Sequence, residues 1–323
     1  MKPKVLVTRE VFDDVLEYLS QYADVQSNQS DEPMSPEALA AALSDKQGAV
    51  ITISDRVDGA LLKRCPELKV VCNVAVGTNN IDLAACRSAG VMATNTPGVL
   101  EDSTADFTWA LILATARRVT EAEDYLRTGK WDRWKLKQLL GTDVHHATLG
   151  IIGMGGIGRV VARRAAGFDM TVLYHNTQPA PKEVENTCRA TYVSKEELLS
   201  RADIVTLHVP YTPATHHLVG KAELAQMNSS AILINTSRGG VVDDTALIAS
   251  LRDGTIAGAG LDVFENEPKF NSDFLALKNV VLTPHIASSS VVTRHKMAML
   301  AAQNLAAALT GKTPPNLLNP LKD

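Results

Sequence analysis

Cysteine is scarce in this sequence, and its spacing excludes two common kinds of site. The 323 residues include four cysteines, which form neither a CxxC pair nor a group with nearby histidines. Disulfide frameworks and zinc sites depend on such spacings, so we expect free, reduced thiols and no metal. The cysteines are Cys65, Cys72, Cys86 and Cys188.

Long apolar runs and a strong charge of one sign are missing as well. No stretch approaches the roughly 18 apolar residues of a membrane span, and the run Val5–Val7 is too short for a signal peptide. With 32 Lys and Arg against 36 Asp and Glu, the net charge is −4, which indicates no basic face for nucleic acid. We therefore expect a cytoplasmic protein with neither a membrane nor a nucleic-acid partner.

The sequence does have a regular alternation of strand-like and helix-like segments from end to end. Such alternation is typical of parallel α/β proteins, and 323 residues suffice for two domains. The predicted strands cover residues 5–8, 49–53, 69–74, 91–93, 148–152, 171–174, 204–209, 231–235, 258–263 and 280–282. The predicted helices include 82–89, 102–117, 244–252 and 291–309, with an irregular stretch at 128–143 and a loop at 175–190.

A glycine-rich turn, Gly153-Met-Gly155-Gly-Ile-Gly158, stands between a predicted strand and a predicted amphipathic helix. The pattern alone is a weak signal, because glycines also occur in purely structural turns. In this context, however, Gly153 allows the tight turn, Gly155 lets the backbone approach a pyrophosphate, and Gly158 lets the helix pack on the strand. The helix N-terminus supplies unpaired N–H groups for the phosphates. We therefore predict a dinucleotide site.

Three polar residues, Arg238, Glu267 and His285, follow predicted strands in the second half of the chain. Ligands of doubly wound sheets bind beyond the carboxyl ends of the strands, so we expect these side chains to share one cleft. Histidine suits proton transfer to a carbonyl oxygen, a carboxylate can orient it, and arginine offers a rigid fork to a substrate carboxylate. Taken singly, each residue also fits a surface or structural role. Together they favour hydride transfer to a 2-oxo acid.

Six blocks of the sequence resemble, in order, the D-2-hydroxyacid dehydrogenase family, and the likeness covers essentially the whole chain. They are VGTNNID (76–82), LGIIGMGGIGR (149–159), HVPYTPATHHLVG (208–220), INTSRGGVVDD (234–244), GAGLDVFENEP (258–268) and LTPHIASSS (282–290). The segment GKWDRW, followed by GTDVHHATLGIIGMG, is most similar to the glyoxylate/hydroxypyruvate reductase branch, which includes enzymes that also reduce 2-ketogluconate.

The resemblance implies an α/β fold class with two doubly wound parallel-sheet domains. A flavodoxin-like, discontinuous substrate domain would span residues 1–99 and be completed by 290–323, and a Rossmann NAD(P)-binding domain would span 100–289. The family also implies a homodimer formed through the cofactor domains, with the 102–117 helix and the arm after it as candidate interface. Whether Trp134 reaches the partner's active site or packs locally stays open.

The resemblance also assigns roles to individual residues. Arg238 would bind substrate, His285 would be the proton donor and Glu267 its partner, while the backbone N–H groups of Val76 and Gly77 would hold the substrate carboxylate. The implied activity is reduction of glyoxylate and hydroxypyruvate, with 2-ketogluconate as a further candidate, to D-2-hydroxy acids. The remaining expected contacts are Ser288 for substrate and, for the cofactor, Thr104, Gly153, Gly155, Gly156, Ile157, Gly158, His175, Asn176, Thr177, Val209, Pro210, Thr215, Thr236, Ser237 and Asp262.

The end of the predicted strand 171–174 bears on the choice of cofactor. NAD-specific folds of this type usually place Asp or Glu roughly 20 residues after the glycine turn, to bind the ribose hydroxyls. Here the strand end reads Tyr174-His175-Asn176-Thr177-Gln178 and has neither an acid nor an arginine. Nothing there repels a 2′-phosphate, and Asn176 and Thr177 can donate hydrogen bonds to it. We predict a preference for NADPH, with NAD(H) as the alternative.

Other functions remain open on the sequence. An NAD(H)-binding regulatory scaffold resembling the C-terminal-binding-protein corepressors would keep the same three polar residues, and a dehydrogenase for another acid, such as phosphoglycerate, would share the same blocks. Phosphite dehydrogenases carry Lys where this chain has Val76, and formate dehydrogenases lack the acid that Glu267 supplies. Turnover with glyoxylate and hydroxypyruvate separates these interpretations.

Overall fold

A computed structural model describes residues 1–320 and divides the chain into two compact units. Unit 1 comprises residues 1–100 together with the chain from 289 onward, and unit 2 comprises residues 101–288. The domain limits expected from the resemblance, at 99/100 and 289/290, stay a prediction.

The regular elements alternate along the chain. The strands are β1 (Lys4–Val7), β2 (Asp24–Ser27), β3 (Gly48–Ile51), β4 (Val70–Asn73), β5 (Met92–Thr94), β6 (Thr148–Ile152), β7 (Thr171–His175), β8 (Ala190–Tyr192), β9 (Ile204–Leu207), β10 (Ile232–Asn235), β11 (Gly258–Leu261) and β12 (Val280–Leu282). The α-helices are α1 (Asp13–Ser20), α2 (Pro36–Leu43), α3 (Gly59–Arg64), α4 (Leu83–Ser88), α5 (Glu101–Ala116), α6 (Val119–Arg127), α7 (Gly156–Ala165), α8 (Lys182–Cys188), α9 (Lys195–Arg201), α10 (Lys221–Leu224), α11 (Asp244–Asp253) and α12 (Val291–Leu309). Short 3₁₀ turns cover Ala166–Phe168 and Ser272–Ala276.

Unit 1 is built on a five-stranded sheet in the order β2-β1-β3-β4-β5, with every pair parallel. This is the strand order of flavodoxin-like folds. Strands β3 and β4 are buried along their whole length, as expected when helices cover both faces of a parallel sheet.

The last helix, α12, completes unit 1. Its Ala301, Ala302 and Leu305 belong to the same apolar cluster as Val5 and Val70 of the sheet. Helix α12 packs closely on the sheet because β3 begins with Gly48, where a Cβ would lie 2.6 Å from Cδ1 of Leu305.

The segment after α12 is tied to the edge strand β5. The side chain of Asn319 donates to the carbonyl of Val91 at 2.8 Å and accepts from the N–H of Ala93 at 2.7 Å. Asn319 is fully buried, so this pairing satisfies an amide that would otherwise be costly to remove from water.

Unit 2 is built on a seven-stranded parallel sheet in the order β12-β11-β10-β9-β6-β7-β8. The order reverses between β6 and β9, the switch point at which ligands of such folds bind beyond the carboxyl ends. The predicted fold class, two doubly wound parallel-sheet domains, is confirmed. Among residues 1–320, no helix is both long and apolar enough to cross a bilayer.

The prediction of a loop over residues 175–190 is wrong in part. Helix α8 and the start of strand β8 lie within that range. The helix has seven residues and is anchored by Glu185, which accepts from the hydroxyl of Tyr174 at 2.8 Å and pairs with Lys182 at 2.6 Å. The first of these contacts reaches back to β7 and holds a segment whose proline-containing, polar sequence gives no periodic signal.

Strand β2 and helices α3 and α6 were not predicted either. Strand β2 is a partly exposed edge strand of mixed polarity, and α3 has only six residues. Strand β2 and helix α3 are too short to show a full period of apolar residues, so both depend on neighbours that are distant in sequence. The irregular stretch at 128–143 is confirmed.

Candidate active site

The glycine turn connects β6 to α7, and two of its glycines have no room for a side chain. Gly153 has φ +105°, and a Cβ there would lie 2.7 Å from the carbonyl carbon of His208. A Cβ on Gly158 would lie 2.1 Å from the carbonyl oxygen of Gly153. These contacts require glycine for the tight turn and for the packing of helix on strand.

Gly155, in contrast, faces open space. No atom lies within 4 Å of a Cβ placed on it, and it immediately precedes Gly156 and Ile157 in the first turn of the ten-residue helix α7. The first N–H groups of a helix have no partners inside the helix and carry its positive dipole end. An unobstructed glycine at that position fits the pyrophosphate of a dinucleotide.

Strand β7 ends beside this turn and carries three of the predicted cofactor contacts. Asn176 accepts a hydrogen bond from the N–H of Met154 at 2.8 Å through Oδ1, so its Nδ2 donor takes no part in that bond. His175 Nδ1 lies 3.0 Å from the carbonyl of Val193. Thr177, which follows Asn176, is exposed.

The loop after β9 is held by its own side chains. Thr215 accepts from the N–H of Thr212 at 2.8 Å and donates to the carbonyl of Pro210 at 2.7 Å. This hydroxyl therefore fixes the turn that carries Val209 and Pro210, two of the predicted cofactor contacts. Burial lowers the pKa of His208 at the end of β9 to about 3, so that ring is neutral at physiological pH.

Arg238 lies in the turn that follows strand β10, and the buried side-chain amide of Asn235 holds this turn. Asn235 accepts from the N–H and the hydroxyl of Ser237, at 3.0 and 2.7 Å, and donates to the carbonyl of Arg238 at 3.1 Å. The arginine is half-buried and donates to the carbonyl of Ser237 at 2.7 Å. Burial lowers the pKa of Arg238, and Glu267 raises it. Its guanidinium is cationic at any physiological pH.

Thr236, a predicted cofactor contact, is linked to helix α5, which carries another predicted contact, Thr104. Thr236 is buried, and its hydroxyl lies 3.0 Å from that of Thr108. Thr108 in turn donates to the carbonyl of Thr104 at 2.8 Å. The hydroxyl of Thr236 is therefore held by a side chain of helix α5.

The pair of Glu267 and His285 forms the centre of the candidate site. Nδ1 of His285 lies 2.7 Å from Oε2 of Glu267, while Oε1 of the same carboxylate accepts from the N–H of Phe264 at 2.7 Å. The carboxylate is thus fixed at both oxygens. Since Glu267 also interacts electrostatically with Arg238, the structure brings all three sequence-predicted residues together at the carboxyl edge of the unit 2 sheet.

Asp262, predicted as a cofactor contact, has a further role in the structure. It is fully buried and accepts from the hydroxyl of Thr283 at 2.7 Å and from the N–H groups of Ile286 and Ala287 at 2.9 and 2.8 Å. These bonds enclose His285, whose own backbone is held at φ +56°. Backbone in this region is costly for residues other than glycine, so the surrounding bonds must over-determine it.

In unit 1, Val76 and Gly77 lie in the loop after β4. The carbonyl of Val76 accepts from Asn95 at 2.8 Å, and that of Gly77 accepts from Asn73 at 2.9 Å. Sequence reasoning missed both asparagines, as it missed Asn235. The available signal was a polar residue at, or one position beyond, the last position of a buried strand. Ser288, the last predicted substrate contact, is half-buried at the end of unit 2.

A group of two histidines and one glutamate lies beside the Glu267 loop. Ligand atoms of His216, His217 and Glu265 come within 4.8 Å of one another. However, His217 Nε2 is already 2.5 Å from Glu265 Oε1, and His216 Nδ1 is 3.1 Å from the hydroxyl of Tyr211. The two rings are stacked 3.9 Å apart, and stacked rings do not direct their in-plane lone pairs at one ion. We interpret the group as a hydrogen-bonded cluster that supports the loop.

Comparisons with known proteins show which family this chain is similar to. The profile of the D-isomer specific 2-hydroxyacid dehydrogenase NAD-binding domain matches residues 109–287. A glyoxylate reductase of Aeropyrum pernix is 46% identical over 98% of this chain and 96% of its own. The crystal structure of TT0316 protein from Thermus thermophilus superposes with a TM-score of 0.90, at 42% identity over 98% of this chain and 99% of that one. An NADPH-dependent glyoxylate/hydroxypyruvate reductase of Sinorhizobium meliloti, solved with NADP and malonate, has a TM-score of 0.88 at 33% identity, covering 98% and 97%.

Proposed function

This chain belongs to the D-isomer specific 2-hydroxyacid dehydrogenase family, and from that premise we propose that it reduces glyoxylate and hydroxypyruvate to the corresponding D-2-hydroxy acids, with NADPH as the preferred donor. As a member of the family it is an oxidoreductase of small 2-oxo or 2-hydroxy acids that uses a nicotinamide cofactor. The observation that carries the proposal is the 2.7 Å pair of His285 and Glu267 beside Arg238.

The proposed chemistry assigns one task to each of these side chains. The bound nicotinamide supplies the hydride. His285 donates Nδ1–H to Glu267, which leaves Nε2 to hand a proton to the substrate's carbonyl oxygen as charge develops there. Glu267 stabilises the imidazolium and fixes the ring, as the carboxylate of a catalytic dyad does. Arg238 supplies the positive charge that binds and polarises the 2-oxo acid.

In unit 1, the backbone N–H groups of Val76 and Gly77 are proposed to bind the substrate's carboxylate. This turn offers no cationic side chain, so its contribution comes from amide dipoles alone. Ser288 is proposed as an additional polar contact for the substrate. Glyoxylate and hydroxypyruvate are the proposed substrates on the resemblance to that branch of the family, and 2-ketogluconate stays a further candidate.

The test is turnover of the purified protein with glyoxylate and hydroxypyruvate, compared with pyruvate and the 2-oxo form of phosphoglycerate. We expect the highest kcat/KM for the first two acids. High activity on pyruvate or on the phosphorylated acid alone would refute the substrate assignment. Tight NADPH binding without turnover of any 2-oxo acid would support a regulatory scaffold instead.

The preference for NADPH rests on Asn176. Because its Oδ1 is occupied by the N–H of Met154, the group left for the ribose end of the cofactor is an N–H donor, which favours a 2′-phosphate. Asn176→Asp keeps the bond to Met154 and adds a negative charge, so it should shift the ratio of kcat/KM toward NADH. Gln178→Glu, two residues on and exposed, is the matched control for charge. A clear NADH preference of the unmodified protein would contradict the proposal.

A homodimer is proposed on the basis of an exposed apolar surface in unit 2. Its residues lie in α6 and in the irregular arm after it, and each of them is more than half exposed. They are Val119, Leu126, Trp131, Trp134, Leu136 and Leu140. Exposed apolar groups concentrated on one segment mark interaction surfaces, in agreement with an interface built from this part of the cofactor domain.

A further inference from the structure

The loop that follows β4 has an uneven distribution of hydrogen bonds. The carbonyls of three successive residues, Ala75, Val76 and Gly77, each accept a bond from unit 1: from the N–H of Thr96 at 3.0 Å, from Asn95 at 2.8 Å and from Asn73 at 2.9 Å. All three carbonyls are therefore fixed from within the fold.

The N–H groups of this loop are unused. Within residues 1–320, no acceptor pairs with the N–H of Val76, Gly77 or Thr78. These residues are only partly buried. Successive N–H groups without partners are costly unless water or a ligand satisfies them, and together they form an anion-binding surface.

Both asparagines that hold the carbonyls are themselves held. Asn73 is fully buried, and its side chain is joined to that of Asn80 by contacts of 3.2 and 3.3 Å. Asn80 donates to the carbonyls of Thr52 and Asp55, both at 3.0 Å. The side-chain amides of Asn73 and Asn80 are therefore held in place by their hydrogen-bond partners.

The second asparagine is anchored by the last helix. Asn95 follows β5 and is buried, and its own carbonyl accepts from Asn304 of α12 at 3.3 Å. The loop is thus clamped between a residue of β4 and a residue supported by the last helix. Such support fixes the direction of dipoles before a ligand arrives, which lowers the cost of reorganisation on binding.

We propose that Asn73 and Asn95 are positioning residues for the substrate's carboxylate, because they turn the amides of Val76, Gly77 and Thr78 outward as a preformed anion cradle. The inference rests on the proposed function, in which Val76 and Gly77 bind that carboxylate, and it extends the cradle to Thr78. Neither asparagine need touch the substrate.

Asn95→Ala and Asn73→Ala test the positioning role by steady-state kinetics with glyoxylate. Without the asparagine, the loop amides are no longer held toward the carboxylate, so KM should rise roughly 10–100-fold, which corresponds to the loss of one hydrogen bond to a charged group. The change in kcat should be smaller, and the Kd for NADPH should not change. The control is Asn319→Ala, which removes another buried amide of unit 1, one that is hydrogen-bonded to Val91 and Ala93 and not to the loop after β4. It should lower the melting temperature without raising KM. If the Asn95 and Asn73 variants lower stability but leave KM within twofold, the proposal is wrong.

Amide hydrogen–deuterium exchange on the unmodified protein tests the cradle without relying on variants that fold. Oxamate, an unreactive analogue of a 2-oxo acid, added with NADPH should slow exchange in the peptide covering 74–80. Unchanged exchange there would overturn the cradle even if glyoxylate is turned over. Protection of that peptide together with unchanged KM in the variants would reject the positioning role alone and leave the proposed function standing.

Discussion

His285, the proposed proton donor, shows how several contacts can fix a single side chain. Its backbone has a left-handed conformation, its Nδ1 faces a carboxylate that is itself fixed by a backbone N–H, and its loop is enclosed by the bonds to Asp262. About a quarter of the side chain is exposed. The orientation of the ring is thus fixed by several different parts of unit 2.

His285→Gln removes the proton donor but retains a polar side chain of similar size. General acid catalysis is typically worth about 10²–10⁴-fold in rate, so kcat for glyoxylate should fall by that order while the Kd for NADPH stays the same. His295→Gln is a matched control, because His295 also faces a carboxylate, that of Asp14, at 2.7 Å but lies in unit 1. Near-normal turnover of every 2-oxo acid by the His285 variant would rule out the assignment.

Residue types explain which parts of the candidate site could be read from the sequence. Arg238, Glu267 and His285 each follow a strand, and strands could be located by their apolar residues. The supporting asparagines could not be assigned, since a buried amide acts through partners far along the chain, such as the pair Asn95 and Val76. Their role exists only once β4 and β5 are neighbours.

At the scale of elements, the glycine turn between β6 and α7 allows a paired test. Gly158→Ala places a Cβ against the backbone of Gly153 and should lower the free energy of unfolding by about 1–3 kcal/mol. Gly155→Ala meets no atom of the protein, so its stability should be unchanged while its affinity for NADPH falls. Thermal melts and fluorescence titration measure the two effects, and equal destabilisation by both substitutions would contradict the account of this turn.

The first turn of α11 predicts a dependence of stability on pH. Burial raises the pKa of Asp244 to about 6, with smaller upward effects from Glu265 and Asp243 and a downward effect from His217. The folded state therefore keeps a proton that the unfolded state, with an ordinary Asp, has lost between about pH 4 and 6. Across that window this group makes the free energy of unfolding fall as pH rises, and the loss is complete above it.

Asp244→Asn removes the titrating group but keeps an oxygen to accept from the N–H of Glu265. The variant should match the unmodified protein near pH 4 and exceed its stability by up to about 3 kcal/mol at pH 7 to 8. Urea unfolding at several pH values measures this difference. Asp253→Asn, at the exposed end of the same helix, serves as control, and a pH-independent gain at Asp244 would show that the carboxylate is not the cause.

Elements differ in how well the sequence predicts them. Helix α11 begins and ends as expected, since Asp243 caps its N-terminus and Gly254, at φ +69°, ends it. Helix α8 and strand β8 were missed because seven- and three-residue elements carry too little periodicity to be recognised. Their stability comes from contacts with β7, which a single segment does not reveal.

At the scale of the whole molecule, the exposed apolar arm predicts self-association. Trp134 and Leu136 are about three-quarters exposed, and two copies of this surface would bury each other's apolar area. Light scattering at micromolar concentration should give the mass of a dimer, and a double substitution, Trp134→Ser with Leu136→Ser, should shift it toward a monomer. A monomeric unmodified protein would rule out the homodimer. If the double variant stays dimeric, the interface lies elsewhere.

The sequence by itself determined the fold class, the glycine turn and the three side chains proposed for chemistry, because each is encoded locally: apolar runs for strands, glycines where backbone must pass closely, and polar residues just after a strand ends. Only the tertiary structure decided which side chains hold those groups in place. Asn73, Asn95, Asn235 and Asp262 gain their partners when strands distant in sequence pair and loops fold over their ends. Hydrogen bonds of buried amides and carboxylates are set by that three-dimensional neighbourhood, and no local pattern specifies it.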